Sequence, residues 1–142
     1  MGYADDYLAI VDALTAKISG IAGVNSVIFG EREHVGALKF PVVFIVPGED
    51  TIEVASVLQQ RHETVFDVIL VDKKFDAEQG LREVIQLGGA CYDEILKDRC
   101  LGGVAQDVLI TLVDPAYSRV EQTVLHWVLL RVVVRRRRKG GQ

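Results

Sequence analysis

Histidine and cysteine side chains, which hold metal ions most often in proteins, are scattered along this chain. His34, His62 and His126 are 28 and 64 residues apart, and Cys91 and Cys100 do not form a Cys-x-x-Cys pair. Zinc sites with a recognisable sequence pattern use ligand pairs only a few residues apart. The spacing therefore predicts no metal site.

Nucleophilic catalysis has no more support in the sequence. No serine lies in a Gly-x-Ser-x-Gly elbow, and the Gly20-Ile-Ala-Gly23 segment lacks the Gly-Lys-Ser/Thr ending of a phosphate-binding loop. Cys91 falls within a predicted helix, where we expect a small buried hydrophobe and not a thiolate. Acidic pairs such as Asp5-Asp6 and Glu49-Asp50 are expected to be solvated helix and turn residues. We predict no enzymatic activity and no cofactor.

A run of five cations near the end of the chain is the densest cluster of charge. Its members are Arg135, Arg136, Arg137, Arg138 and Lys139. Like charges repel and their desolvation is costly, so we expect none of them to be buried. Arginine also pairs bidentately with carboxylate or phosphate. The run is thus either a solvated, disordered terminus or a contact for DNA phosphates or an acidic protein surface.

The distribution of charge limits the nucleic-acid alternative. The chain has a net charge of −4, but residues 1–134 hold 11 cations and 20 anions, a net charge of −9. An acidic body disfavours non-specific binding to phosphates by the globular surface, which leaves only the cationic run. At 142 residues we expect one domain, 1–134, followed by a basic tail, 135–142. The N-terminus lacks a signal-peptide pattern and the cysteines lack a disulfide framework, which favours an intracellular origin.

The segment just before the cations predicts a buried strand. Nine of the eleven residues from Val124 to Val134 are apolar and five are valine, a composition that favours a pleated strand. Such a strand must be covered on both faces or be buried against another subunit, so we place it centrally in a sheet. It is too short to span a membrane, which takes about 20 apolar residues.

Two amphipathic helices are predicted, and several strands separate them along the chain. Tyr7, Val11, Leu14 and Ile18 form one apolar stripe in a helix over residues 4–19. A second helix begins at Asp76, with Gln79 at capping-box spacing. Its Gly88-Gly89 pair indicates either a kink or the close approach of another backbone.

The remaining apolar runs are short and bounded by turn residues, and they predict strands over 24–29, 40–46, 51–57, 64–71 and 104–113. We expect turns at 47–50 and 114–115. Residues 59–63 are expected to form a hairpin connection, although 53–60 could instead be a short helix. The predicted fold is α+β, a mostly antiparallel β-sheet with two main α-helices packed on one face.

This order of elements resembles the tail terminator, or tail-completion, proteins that join head and tail in long-tailed bacteriophages and related tailed viruses. Four segments have the likeness, and together they span nearly the whole chain. They are the helix from Tyr7 to Ile18 leading into Gly23-Val-Asn-Ser-Val27, the strand Phe40-Pro-Val-Val-Phe-Ile-Val-Pro47, the strand His62-Glu-Thr-Val-Phe-Asp-Val-Ile-Leu-Val71, and a final hairpin whose long strand includes Trp127. The basic terminus departs from the family pattern.

The resemblance implies a structural virion protein without cofactor or reaction. Copies of the subunit, six in the family, would form a ring on the head-proximal end of the tail tube. The ring would stop tube polymerisation and contact the head-neck connector proteins, with DNA passing through its lumen and no membrane involved. Candidate subunit or tube contacts are Arg32, Glu33 and His34 in the polar loop, together with Trp127 and Arg131.

Two other classes of function stay open at the level of sequence. One is a small intracellular binding module that uses its arginine-rich end on nucleic acid or an acidic protein partner. The other is a small enzyme whose site is assembled from residues that no motif identifies.

Overall fold

The computed structural model of the chain describes residues 2–30, 39–56, 58–74, 77–120 and 123–139. Two α-helices and five β-strands follow one another along these residues. They are α1 (Tyr3–Ser19), β1 (Ser26–Phe29), β2 (Val42–Ser56), β3 (Gln59–Lys74), α2 (Ala77–Lys97), β4 (Asp107–Val120) and β5 (Thr123–Lys139), with a 3-10 turn at Leu101–Gly103 between α2 and β4.

The described strands form one sheet in the order β1-β2-β3-β5-β4. All neighbouring pairs are antiparallel except β1 and β2, which run parallel. Both helices contribute to a single core on one side of this sheet. The predicted α+β class, with a mostly antiparallel sheet and two helices on one face, is confirmed.

Helix α1 faces the sheet with the stripe that its periodicity predicts, except that Tyr7 is only partly buried. In α1 the stripe of Ile10, Val11, Leu14 and Ile18 is buried. In α2 the buried residues include Val84, Cys91 and Ile95. Cys91 is a buried hydrophobe as expected, and burial raises the pKa of its thiol to about 11. The thiol is therefore protonated at neutral pH, as a structural cysteine is.

Strand β5 lies between β3 and β4, the interior position that its apolar composition predicted. Because side chains alternate across a strand, its even-numbered residues face the helices and its odd-numbered residues face the opposite side. Val128, Leu130, Val132 and Val134 accordingly belong to the helix-side core. The strand does not end at Val134 but continues through Lys139, so residues 135–139 of the predicted basic tail are part of the sheet.

Several predicted turns are wrong, because strands continue through them. The segment 47–50 lies inside β2, with a register shift between Pro47 and Asp50. Residues 59–63 belong to β3, which also excludes a helix over 53–60. Asp114 and Pro115 pair with β5 in the middle of β4. Pro47 and Pro115 both lie in strand segments with an unpaired side, where proline is tolerated within a sheet, since β4 is an edge strand and β2 is an edge beyond its pairing with β1.

Helix α2 runs through the Gly88-Gly89 pair as one helix. Gly88 packs directly on β5, where a Cβ atom would lie 3.0 Å from Cγ1 of Val128, whereas a Cβ on Gly89 would meet nothing within 4 Å. Close approach therefore accounts for Gly88, and the neighbour is a valine side chain of β5. The predicted helix start at Asp76 lies outside the described residues.

Candidate interaction surface

The side of the sheet opposite the helices, here the helix-free face, holds an apolar patch. Its centre is formed by Val42, Phe44 and Val71, which are buried among partly buried neighbours. These neighbours are Ile28, Phe40, Val46, Ile69, Leu125 and Trp127. Neither described helix contributes a residue to this cluster. An apolar patch on one side of a sheet that lacks a helical layer is typical of a surface that meets another protein.

Alternation along β5 brings four predicted candidates onto the helix-free face. Trp127, Arg131, Arg135 and Arg137 are all odd-numbered, so their side chains project to this side, while those of Arg136 and Arg138 project toward the helices. Two members of each group of candidates, which the sequence suggested for separate purposes, thus share one surface. It is apolar near Trp127 and charged toward the end of β5.

Cross-strand ion pairs hold two of these arginines. Nε of Arg131 lies 3.2 Å from Oδ1 of Asp67, and Nε of Arg135 lies 3.3 Å from Oε1 of Glu63. In both pairs the two residues are directly opposite each other on β5 and β3. Because these side chains are largely exposed, each pair contributes at most about 1 kcal/mol to stability. Their carboxylates nevertheless neutralise cations that a phosphate would otherwise contact.

Arg137 has a different environment. It lies directly opposite Arg61 on β3, and within the described part of the chain neither forms an ion pair. Both line an open cavity of about 710 Å³ that also includes Glu53 and Glu63. The cavity therefore has a mixed charge and is not a dedicated anion site.

On the helix side, Arg136 is buried, contrary to our expectation that no member of the cationic run would be. Only 5 % of its surface is exposed, and its Nη2 donates to Oδ2 of Asp50 at 3.1 Å. Its guanidinium carbon lies 5.2 Å from the Tyr3 ring centroid and 5.9 Å from that of Tyr7. A charge can be buried when it is paired and hydrogen-bonded, and aromatic faces add a cation–π attraction.

Asp50 is the acceptor that makes this burial possible. Its carboxylate accepts hydrogen bonds from the Tyr3 hydroxyl at 2.5 Å and from Oγ1 of Thr64 at 2.9 Å, and Nδ1 of His62 lies 3.1 Å from Oδ2. One carboxylate therefore links α1, β2, β3 and β5. The expectation that Glu49-Asp50 is a solvated turn pair is wrong for Asp50, whose side chain is only 10 % exposed.

The electrostatics of this cluster favour an ionised Asp50. Burial on its own raises the pKa of the Asp50 carboxyl, but the hydrogen bonds from Tyr3, His62 and Thr64 lower it by more, so that the pKa lies below its usual value. The hydrogen bond to Asp50, with burial, raises the pKa of the Tyr3 hydroxyl. Asp50 is thus an anion and Tyr3 a neutral donor at neutral pH.

Arg138 completes the contacts of the cationic run with the rest of the chain. Its Nε lies 3.2 Å from Oδ2 of Asp6 in the first turn of α1, and its guanidinium lies 5.3 Å from the Tyr3 ring centroid. Arg135, Arg136 and Arg138 therefore each pair with a carboxylate from another element. Together they attach the end of β5 to the hairpin of β2 and β3 and to α1.

Other predicted sites are placed as follows. Arg32, Glu33 and His34 lie outside the described residues. Lys139 is the last residue of β5, and the structure describes its backbone but not its side chain. His62 and His126 are both buried and lie on β3 and β5. Among the described residues no group of three or more His, Cys, Asp or Glu side chains is placed to hold a metal ion.

Sequence reasoning missed Asp50, His62 and Tyr3 as partners of the cationic run. The alternation of side chains along β5 could have indicated that acidic partners are needed. Arg136 and Arg138 continue the even-numbered series from Val124 to Val134, whose side chains are buried. An inward arginine requires an acid, but the sequence does not say which one.

Within the described residues, no helix is long and apolar enough to cross a membrane.

Comparison with protein-family models and with curated proteins found no match for this chain.

Proposed function

We propose that this chain is a structural virion subunit similar to tail terminators, one that forms a ring on the tail tube, ends its polymerisation and joins it to the head neck. In this role the protein performs no reaction and binds no cofactor. Its work is to present surfaces of fixed shape to neighbouring subunits, to the tail-tube protein and to the neck.

The apolar patch of the helix-free face is the observation that supports this proposal most. Trp127 and Leu125 are partly exposed in the same cluster as buried Phe44, and the Asp67–Arg131 ion pair borders the patch at Val46, which pairs with Asp67. Interfaces commonly have this anatomy, an aromatic and aliphatic centre with a polar rim. In the ring we assign this face to contact with the tube.

A nucleic-acid-binding module receives less support. DNA affinity comes from cations that neutralise phosphates. Arg131, Arg135 and Arg136 are already paired with Asp67, Glu63 and Asp50, so phosphate binding would have to displace carboxylates. Of the described arginines on the helix-free side of β5, Arg137 is the one without such a pair. In the proposed ring, DNA in the lumen is therefore a weak contact.

Replacing Trp127 with alanine tests the assignment of the helix-free face. We expect Trp127→Ala to weaken co-sedimentation with assembled tail tubes by roughly 30-fold or more, because a central aromatic residue contributes 2 kcal/mol or more to many interfaces. The matched control is Tyr117→Ala, an aromatic truncation on the exposed helix side of edge strand β4. Equal binding by the Trp127 variant and the wild type would reject this face as the contact.

A further inference from the structure

The hairpin of β2 and β3 ends in exposed apolar side chains, here the apolar tip. Ile52 is 50 %, Val54 67 % and Leu58 72 % exposed. Ile52 pairs with His62, so it lies near the end of the hairpin beyond the Asp50 cluster. Large apolar side chains clustered on a projecting hairpin are more than the scattered apolar residues that surfaces tolerate. This tip therefore needs an apolar partner.

A matching apolar groove lies between α2 and edge strand β4. It has a volume of about 220 Å³ and almost no polar surface. Its lining includes Ile85, Gly88, Gly89, Tyr92, Val113 and Pro115. Ile85, Tyr92 and Val113 are exposed. Gly88 packs on Val128 at the floor of the groove, whereas a Cβ atom on Gly89 would meet nothing within 4 Å, so the space beside Gly89 is open to a group from outside.

The tip and the groove lie at opposite edges of the same sheet. The tip belongs to β2 and β3, while β4, which forms one wall of the groove, is the terminal strand on the other side. One molecule cannot bring them together. Two copies can, through a contact in which different surfaces meet, and such heterologous contacts generate rings when the rotation closes.

Charge supports a second copy as the occupant. Residues 51–63 and 135–139, which surround the tip, hold six cations and two anions, and with Asp50 and Asp6, which pair with Arg136 and Arg138, this end has a net charge of +2. The rest of the chain holds ten cations and 16 anions, a net charge of −6. Asp93 follows Tyr92 of the groove lining on α2, and it forms no ion pair within the described part of the chain. A cationic end approaching an anionic body is attracted to it and oriented by it.

We propose that the apolar tip of one copy docks in the apolar groove of a second copy, with Leu58 entering the space beside Gly89. This inference rests on the proposed function in so far as that function requires self-association. It goes further by naming the two surfaces and the head-to-tail order of the subunits.

The test uses one variant for each surface, examined on the full chain by sedimentation velocity and native mass spectrometry. Gly89→Trp fills the groove, and Gly89→Ala is its control because it adds only a methyl group in open space. Leu58→Asp places a charge on the tip, and Leu8→Asp is its control because it makes the same change at an exposed leucine of α1. Circular dichroism establishes that each variant is folded.

We expect Gly89→Trp and Leu58→Asp each to weaken self-association roughly tenfold or more, and the two controls to assemble as the wild type does. A heterologous contact predicts a second result. Gly89→Trp leaves the tip intact and Leu58→Asp leaves the groove intact, so an equimolar mixture of the two variants should form one-to-one dimers and nothing larger.

The outcomes separate this contact from the proposed function. If the wild type assembles and both variants assemble equally well, the tip and groove are not the contact, while a ring through other surfaces stands. If the variants fail singly and also fail to form mixed dimers, the contact is not heterologous and the inference is wrong. If the wild type stays monomeric at every concentration and also on assembled tail tubes, both the contact and the ring are rejected.

Discussion

Replacing Asp50 with asparagine should destabilise the fold strongly, because it removes a charge and keeps the shape. The substitution leaves the guanidinium of Arg136 buried without its anion. Breaking a buried pair by removing one partner costs about 3–5 kcal/mol. We expect about 3 kcal/mol for Asp50→Asn, the lower end, because Arg136 keeps its contacts with the Tyr3 and Tyr7 rings. That is a large fraction of the 5–15 kcal/mol typical of a folded domain.

The effect should shrink in acid. The folded-state pKa of Asp50 is depressed, so the unfolded chain takes up the proton first as the pH falls. The stability that Asp50 contributes is therefore complete well above its unfolded pKa, which is about 4, and is lost as the pH falls through the folded pKa. The difference in unfolding free energy between the wild type and Asp50→Asn should therefore be smaller below about pH 4 than at neutral pH.

Urea unfolding monitored by circular dichroism measures this difference through the transition midpoint at unchanged slope. The control is Asp67→Asn, which breaks the exposed pair with Arg131 and should cost about 1 kcal/mol or less. Adding Arg136→Met to Asp50→Asn should restore part of the loss, since an apolar pair removes the orphaned charge. A cost for Asp50→Asn no larger than that of Asp67→Asn, or no restoration by the methionine, would refute the argument.

Three more predictions follow from the same contacts. Truncation after Val134 should lower the unfolding free energy by about 3 kcal/mol or more, since it removes Arg136 from beside Asp50; an unchanged melting temperature would mean that residues 135–142 are a free tail. Gly80→Ala should cost about 1–3 kcal/mol, because its Cβ would overlap the buried ring of His126, whereas Gly89→Ala in the same helix should stabilise by up to about 1 kcal/mol; equal effects in urea unfolding would show that the first turn of α2 moves freely. Arg137→Ala should change the salt slope of duplex-DNA binding by about 1 at most, and Arg135→Ala by less because Arg135 is paired with Glu63; the reverse order in a salt titration would contradict the pairing.

Elements with strong periodicity could be predicted from the sequence. The stripe from Tyr7 to Ile18 predicted α1 because helical spacing puts those residues on one face, and that face is the buried one. The valine-rich run from Val124 predicted a central strand because a strand that is apolar on both faces must be covered on both faces or be buried against another subunit, and β5 does lie between β3 and β4. The predicted turns at 47–50 and 114–115 are wrong because proline and glycine also occur within strands, at sheet edges and at bulges. Strand β2 accommodates Pro47 and Gly48 at a register shift, and edge strand β4 passes through Pro115 without one.

The surface could be predicted only in part. Trp127 and Arg131 were predicted as contacts, and the structure places them together on the helix-free face. The role of the cationic run could not be predicted in the same way, because the partner of Arg136 is Asp50, 86 residues earlier in the chain. Charge repulsion within the run is local and visible in the sequence. The carboxylates that offset it come from α1, β2 and β3, and only the fold brings them close.

The most direct test of the proposed function is electron microscopy of tail-tube protein polymerised with and without this chain. The proposal predicts that the chain binds one end of each tube as a ring and that tubes stop growing once it is added. Trp127→Ala at the same concentration should leave the tubes longer and their ends bare. Tubes that grow to the same length with the wild-type chain, with no ring at either end, would contradict the proposal.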